Sequence, residues 1–267
     1  MSRLSRRLSA LGGQGRKALV SFITAGDPDP SVTVPALHAL VAGGADVLEL
    51  GVPFSDPEAE GPVIQASSER ALAKGTTLRA VLEMVARFRK DDDLTPIVLM
   101  GYLNSVLAMG EETFAEAAAE AGVDGLIMVN LPPEEAGALR GLLKEKDIDL
   151  IFLVAPTTTP ERAALITEQA GGFVYYVSLK GITGADNLET GSVSKQVGAL
   201  KQMTELPVLV GFGIKDGGTA RAVAEKADGV VVGSALVRTM AGSADALAAI
   251  PALLTAQLAE IRRALDA

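Results

Sequence analysis

The sequence predicts a single (β/α)8 barrel domain spanning residues 1–267, and three observations support this. Eight short apolar runs, rich in β-branched residues, recur along the chain with segments of helical periodicity between them. Most runs are continuously apolar rather than alternating, which is typical of parallel strands covered on both faces. Eight such units fit into 267 residues without an obvious linker, as expected for one barrel.

The apolar runs define eight predicted strands whose ends are polar, aromatic or rich in glycine. Because catalytic groups of such barrels lie at the carboxyl ends of the strands, these ends are where we expect the chemistry. The strands are predicted at Ala18–Thr24, Asp46–Gly51, Pro96–Tyr102, Gly125–Asn130, Leu150–Ala155, Phe173–Ser178, Val208–Phe212 and Gly229–Gly233.

Helices are predicted between the strands, where Ala, Glu and Leu recur at three- and four-residue spacing. Leu4, Leu8 and Leu11 share this spacing and predict an extra N-terminal helix that covers the barrel. The alternative architecture is a doubly wound sheet. The sequence does not favour it, because no Gly-x-Gly-x-x-Gly motif follows the first predicted strand. The helices are predicted at Thr77–Arg89, Glu111–Ala121, Pro133–Lys146, Thr159–Ala170, Ser194–Met203, Gly217–Ala227 and Ala244–Ala267.

Composition excludes several classes of function. A formal charge of −9 argues against binding to nucleic acid or anionic membranes. The absence of cysteine excludes disulfides and thiolate chemistry and favours a cytoplasmic enzyme. Because His38 is the single histidine, histidine-based metal sites and Ser-His-Asp triads are not expected. The chemistry must then come from carboxylates, tyrosines, lysines, hydroxyls or backbone groups, with no metal site.

Two acids frame the most informative segment, residues 48–62. Glu49 lies within an apolar strand, and a proline-rich loop brings Glu60 back before the next helix. Burying an acid is costly unless it has a partner or a function. We therefore expect Glu49 to have a raised pKa and to exchange protons near neutral pH. The alternative is a structural carboxylate that accepts hydrogen bonds from backbone donors.

Glycines near the end of the chain predict a phosphate site. Gly213 follows the seventh strand, and Gly233 and Ser234 follow the eighth, just before a short helix predicted at Ser234–Met240. Backbone N–H groups and a helix N-terminus bind anions at this point of many barrels. The alternative interpretation is that these glycines only form tight turns.

A third glycine cluster follows the sixth strand and has the composition of a lid over bound substrate. In it, Thr183 would supply a hydroxyl and Gly184 an N–H to the phosphate. A plain disordered connection is the alternative. Lys180, in the same segment, would be the nucleophile if the chain were instead a Schiff-base aldolase.

Residues 22–28, 48–62, 175–184 and 211–214, with Gly233 and Ser234, closely resemble the tryptophan synthase alpha chain family. The resemblance implies a TIM barrel that cleaves indole-3-glycerol phosphate to indole and glyceraldehyde 3-phosphate, with no cofactor in this chain. It also implies a cytoplasmic α2β2 heterotetramer in which the beta chain binds pyridoxal phosphate.

The resemblance assigns roles to residues at matching positions. Glu49 transfers protons, Glu60 binds the indole N–H, and Tyr175 lies near the reacting carbon. The docking loop for the beta chain carries Pro53, Asp56 and Pro57, together with Asn104. The predicted indole pocket, in which core packing would also explain the first two residues, comprises Phe22, Met100 and Phe212.

The sequence departs from the family pattern at Glu60 and Asn130, where Asp is usual. A Glu moves the carboxylate by about 1.5 Å, one carbon–carbon bond. Two explanations stay open: an enzyme with altered lyase activity, or a catalytically weakened barrel that binds ligand and allosterically tunes the beta chain.

Overall fold

Eight parallel strands form a closed barrel in the order β1 to β8, with β8 paired to β1. The computed structural model describes residues 1–177, 190–211 and 213–267. The arrangement confirms the predicted TIM barrel and excludes the doubly wound sheet. The strands are β1 Ala18–Thr24, β2 Val47–Gly51, β3 Ile97–Gly101, β4 Gly125–Met128, β5 Asp149–Val154, β6 Val174–Val177, β7 Val208–Gly211 and β8 Gly229–Val232.

The described residues contain twelve α-helices, and none of them has the length and apolar character needed to span a bilayer. Their bounds are α1 Arg3–Gly13, α2 Thr33–Ala42, α3 Pro62–Ala73, α4 Leu78–Phe88, α5 Leu103–Met109, α6 Glu111–Ala121, α7 Gly137–Glu145, α8 Pro160–Gln169, α9 Thr190–Leu200, α10 Gly217–Ala224, α11 Ser234–Gly242 and α12 Ile250–Asp266.

Five helices differ clearly from the sequence-based expectation, and one of them, α9, begins at Thr190 and ends at Leu200 rather than spanning Ser194–Met203. Helix α3 was not predicted because it buries the polar side chains of Ser67 and Ser68, which mask its periodicity. Helix α5 has only seven residues, too few to show one. A 3-10 turn at Pro133–Glu135 delays the start of α7, and another at Leu247–Ala249 delays the start of α12.

The strands bury both faces, which explains their continuous apolar sequence. In β2, Leu48 and Leu50 belong to the cluster that packs against the surrounding helices. Val47 instead belongs to the cluster that fills the barrel interior. Because side chains alternate along a strand, Glu49 also points inward, one layer closer to the carboxyl end than Val47.

Helix α1 closes the amino end of the barrel. Leu4, Leu8 and Leu11 are buried in the interior cluster, which confirms the predicted covering helix. On the polar side of α1, Arg7 pairs with the buried Asp46 at 2.7 Å. A charged pair therefore anchors the helix, and the interior stays filled except toward the carboxyl ends of the strands.

Candidate active site

A cavity of about 200 Å³ opens at the carboxyl end of the barrel. It brings together Glu49 from β2, Glu60 from the loop before α3 and Tyr175 from β6. Its other lining residues are Phe22, Gly61, Pro62, Val63, Ile64, Met100, Gly213, Ile214, Val231, Gly233, Ser234 and Arg238. An apolar cavity with a few convergent polar groups is typical of a small-molecule site.

Glu49 lies at the bottom of this cavity and is only 1% exposed. Neither of its carboxyl oxygens has a hydrogen-bond partner among the described residues. Burial, with the charge of Glu60 as a smaller contribution, raises the pKa of Glu49 to about 8. The geometry does not support a structural carboxylate held by backbone donors. Glu49 is instead a protonated acid at neutral pH, and its carboxyl group faces the cavity with its hydrogen-bonding capacity unused by the described residues.

The loop between β2 and α3 holds Glu60 in place by three hydrogen bonds. The Glu60 N–H donates to the carbonyl of Pro57 at 3.0 Å, and Gln65 Nε2 donates to the carbonyl of Glu60 at 2.9 Å. The neighbouring Ala59 N–H donates to the hydroxyl of Tyr102 at 3.0 Å. Burial raises the pKa of Glu60 to about 7. Both acids therefore titrate near neutral pH, Glu60 before Glu49.

Tyr175 is the third polar group of the cavity. Its pKa is raised well above the ordinary value by burial and by the charges of Glu49 and Glu60, so the phenol stays protonated. A β-carbon at Gly211, on the neighbouring strand, would overlap the Tyr175 side chain. Gly211 is thus required for the position of this ring, rather than for a turn.

The opposite side of the cavity has the features of an anion site. Gly213 has a left-handed φ of 74°, and Gly233 and Ser234 lie at the N-terminus of α11. Four residues along this helix, Arg238 also lines the cavity. Of the residues predicted for this site, Thr183, Gly184 and Phe212 lie outside the described residues, as does Lys180.

Residues 1–177, 190–211 and 213–267 contain no cluster of three or more side chains that could hold a metal ion. His38 lies on α2 and stacks on Phe88 at 4.6 Å between ring centroids, away from the cavity. Glu49, Glu60 and Tyr175 are the acidic groups that line the cavity.

Comparison with known proteins gives the family. The sequence model of the tryptophan synthase alpha chain family matches residues 8–265. The chain belongs to the tryptophan synthase alpha chain family. The alpha chain of Laribacter hongkongensis is 57% identical and aligns over the full length of both chains. That of Alkalilimnicola ehrlichii is 56% identical over 100% of this chain and 97% of the relative.

Solved structures of tryptophan synthase agree with this assignment. The alpha subunit of Legionella pneumophila superposes with a TM-score of 0.93 at 45% identity, covering 100% of this chain and 99% of the other. Tryptophan synthase of Mycobacterium tuberculosis, in an aminoacrylate-bound form, superposes with a TM-score of 0.88 at 36% identity, covering 99% and 100%.

The predicted docking residues of this alpha-chain family member lie outside the cavity, at the same end of the barrel. Asn104 is exposed on α5 and accepts a hydrogen bond from Asn130 Nδ2 at 3.1 Å. Pro57 lines a small recess next to the cavity, whereas Pro53 precedes the exposed Asp56 in the same loop.

Sequence reasoning missed some residues of the cavity wall. Ile64 belongs to α3, which was not predicted, so it could not be placed in the site. The sequence could have indicated Arg238, because it lies four residues after Ser234 and therefore on the same face of a helix.

Proposed function

We propose that this alpha chain is a carbon–carbon lyase that cleaves indole-3-glycerol phosphate by a retro-aldol reaction, giving indole and glyceraldehyde 3-phosphate. The observation that carries the proposal is the unpartnered carboxyl of Glu49 at the bottom of an apolar cavity. An acid that is protonated at neutral pH, and close to its own pKa, both gives and accepts protons in one catalytic cycle.

Proton transfers by Glu49 balance over the cycle. The protonated carboxyl donates its proton to indole C3, which places the positive charge on the ring nitrogen. The carboxylate then takes the proton of the hydroxyl on the adjacent carbon. As that oxygen forms a carbonyl, the bond from carbon to C3 breaks, and its electrons restore the aromatic ring. Glu49 is returned to its protonated form.

Glu60 and Tyr175 assist at the two ends of the breaking bond. The carboxylate of Glu60 accepts a hydrogen bond from the indole N–H and stabilises the charge that develops on the ring nitrogen. Its pKa of about 7 makes the ionised form available at slightly alkaline pH. The protonated phenol of Tyr175 donates to an oxygen of the glycerol chain, while Phe22 and Met100 pack against the indole ring.

The phosphate binds at the opposite wall, where Gly213, Gly233 and Ser234 lie together. Backbone N–H groups at the N-terminus of α11 point toward a bound anion and are favoured there by the helix dipole. Gly184 and Thr183 remain predicted ligands from outside the described residues. Together with the family match over residues 8–265, this arrangement supports one catalytic domain.

The beta chain is the proposed partner, in an α2β2 assembly, and pyridoxal phosphate belongs to that chain. The docking surface comprises the loop with Pro53, Asp56 and Pro57 and the short helix α5 with Asn104. Leu107, also on α5, is 56% exposed, which is an apolar surface suited to burial by a partner. The setting of both chains would be the cytoplasm.

Indole release from indole-3-glycerol phosphate by the isolated chain tests the reaction. We expect turnover by the natural sequence and a loss of about 100-fold or more in kcat for Glu49→Gln, since general acid–base catalysis contributes about 10²–10⁴-fold. Glu83→Gln, on the exposed face of α4, removes the same charge and should leave kcat unchanged.

No turnover in the natural sequence, with retained binding of glycerol 3-phosphate, would favour a ligand-binding regulator of the beta chain instead. Isothermal titration with a beta chain tests the partner separately, with one alpha chain expected for each beta chain. An absence of binding at tens of micromolar would overturn the docking proposal.

A further inference from the structure

We propose that Arg238 is a further substrate-binding residue, which pairs with the phosphate group and makes the site select phosphorylated over uncharged indole alcohols. This inference rests on the proposed lyase function and names the charge that its phosphate end requires. Arg238 lines the same cavity as Glu49, Gly213 and Ser234.

Helix geometry places the Arg238 side chain near the proposed phosphate. Arg238 follows Ser234, the first residue of α11, by four positions, so the two side chains share one face of the helix. Side chains on a helix lean toward its N-terminus. The guanidinium therefore extends back over the turn that presents the N–H groups of the proposed anion site.

Arg238 is exposed to solvent on the side of the cavity that α11 forms. Among residues 1–177, 190–211 and 213–267, no carboxylate forms an ion pair with Arg238. The same holds for the exposed Arg79, Arg87 and Arg221, whereas the less exposed Arg70, Arg89 and Arg262 pair with Asp27, Asp124 and Asp46 at 2.7, 2.7 and 3.1 Å. What distinguishes Arg238 is therefore its position on the cavity wall. A cation leaning toward a helix N-terminus is also disfavoured by the helix dipole. A ligand with negative charge at this end of the helix offsets that unfavourable interaction.

The other wall of the cavity makes such a cation necessary. Glu60, whose pKa of about 7 leaves it partly ionised at neutral pH, faces the same space, and its charge repels a phosphate monoester, which carries about −1.5 to −2 at neutral pH. The unpartnered Glu49 carboxyl shows independently that the cavity is built for a ligand. A guanidinium offers two parallel N–H donors that fit two phosphate oxygens. Arg238 thus offsets the repulsion between the phosphate and the acids of the cavity.

The test compares Arg238→Gln with Arg221→Gln in the full-length chain. Arg221 is an exposed arginine on α10 that does not line the cavity, so it controls for the loss of one positive charge. Binding of glycerol 3-phosphate and of indole is measured by isothermal titration, and KM and kcat are measured by indole release. Arg238→Lys keeps the charge without the paired donors.

For Arg238→Gln we expect about five- to twentyfold weaker binding of glycerol 3-phosphate and a similar rise in KM, since charge-assisted pairs exceed ordinary hydrogen bonds in strength. Indole binding should not change, and the rise in KM should exceed any fall in kcat because the contact exists before the chemical step. Arg238→Lys should recover part of the affinity. The affinity of Arg238→Gln should also fall less steeply with added salt.

Equal affinities of Arg238→Gln and Arg221→Gln for glycerol 3-phosphate would overturn this inference. So would an equal loss of indole binding in Arg238→Gln, which would indicate a disturbed fold rather than a lost contact. Failure of the lyase proposal is seen separately, as an absence of indole release by the natural sequence. In that case the affinity for glycerol 3-phosphate still decides the role of Arg238.

Discussion

The buried acid Glu49 should make the stability of this protein depend on pH, and Glu49→Gln should remove the part of that dependence that Glu49 contributes. Glutamine has nearly the same shape as glutamate but does not ionise. The carboxyl of Glu49 has a pKa of about 8 in the folded chain, against its ordinary value of 4.5, because burial penalises the charged form. Ionising Glu49 therefore costs free energy in the folded state and not in the unfolded state.

The sign and size of the effect follow from this difference. Between pH 4.5 and 8, the folded chain holds a proton at Glu49 that the unfolded chain has lost. The free energy of unfolding must then fall as pH rises through this window and level off above it. At about 1.4 kcal/mol per pH unit, the contribution of Glu49 decreases by about 4 kcal/mol between about pH 5 and pH 8.5.

Urea denaturation at a series of pH values measures this directly. The free energy of unfolding of Glu49→Gln should rise relative to that of the natural sequence by the amount calculated above. Glu60, whose raised pKa is caused by its own burial, is present in both chains and cancels in the comparison. Glu83→Gln, at an exposed site, should follow the natural sequence at every pH. Parallel curves for the natural sequence and Glu49→Gln from pH 5 to 8.5 would refute the assignment of a raised pKa to Glu49.

Three further predictions test the surroundings of the site. Shortening Glu60→Asp should raise kcat at least about tenfold if the longer side chain misplaces its carboxylate, because an error of about 1 Å costs about 10²-fold; an unchanged kcat would show that the loop already compensates. Tyr102→Phe removes the hydroxyl that accepts a hydrogen bond from the Ala59 N–H, next to Glu60. It should lower kcat about tenfold and shift the limb of the pH–rate profile near pH 7, which reports Glu60. A limb that does not move would indicate a purely structural role for Tyr102. Asp46→Asn removes the buried charge that Arg7, Arg16 and Arg262 share, although Arg262 keeps its pair with Asp266. It should lower the free energy of unfolding in urea by about 3 kcal/mol, whereas the exposed Asp245→Asn should not. A loss below about 1 kcal/mol would contradict the proposed anchor.

Most of the fold could be predicted from the sequence because each strand is buried on both faces and therefore reads as a continuous apolar run. β1 is correct to the residue, and the other strands differ at their described ends by one or two residues, while the predicted last residues of the sixth and seventh strands, Ser178 and Phe212, lie outside the described residues. The serine-containing α3 could not be predicted because Ser67 and Ser68 lie on its buried face, and α5 could not because seven residues are too few for the spacing of Leu103 and Val106 to indicate a helix. Their helical form depends on the barrel against which they pack.

The site was predictable in its residue types but not in its electrostatics. Sequence alone places Glu49 and Gly233 at strand ends, and topology then brings these ends together. It does not show that Gly211 leaves room for Tyr175, because that contact crosses from one strand to its neighbour. The sequence also does not show which buried acids are neutralised by a charged partner.

Asp46 and Glu49 make this last point clear, since Asp46 immediately precedes β2 and Glu49 is the third of its five residues. Asp46 is buried among arginines, with Arg7 at 2.7 Å and Arg262 at 3.1 Å, and accepts the Leu19 N–H at 2.9 Å. Glu49 is equally buried and has no such partner in the described part of the chain. Desolvation is costly for both acids, but only at Asp46 does the fold compensate for it. An uncompensated acid persists in a stable fold when its reactivity is useful, so the missing partners of Glu49 identify the catalytic end of the barrel more directly than the acid itself does.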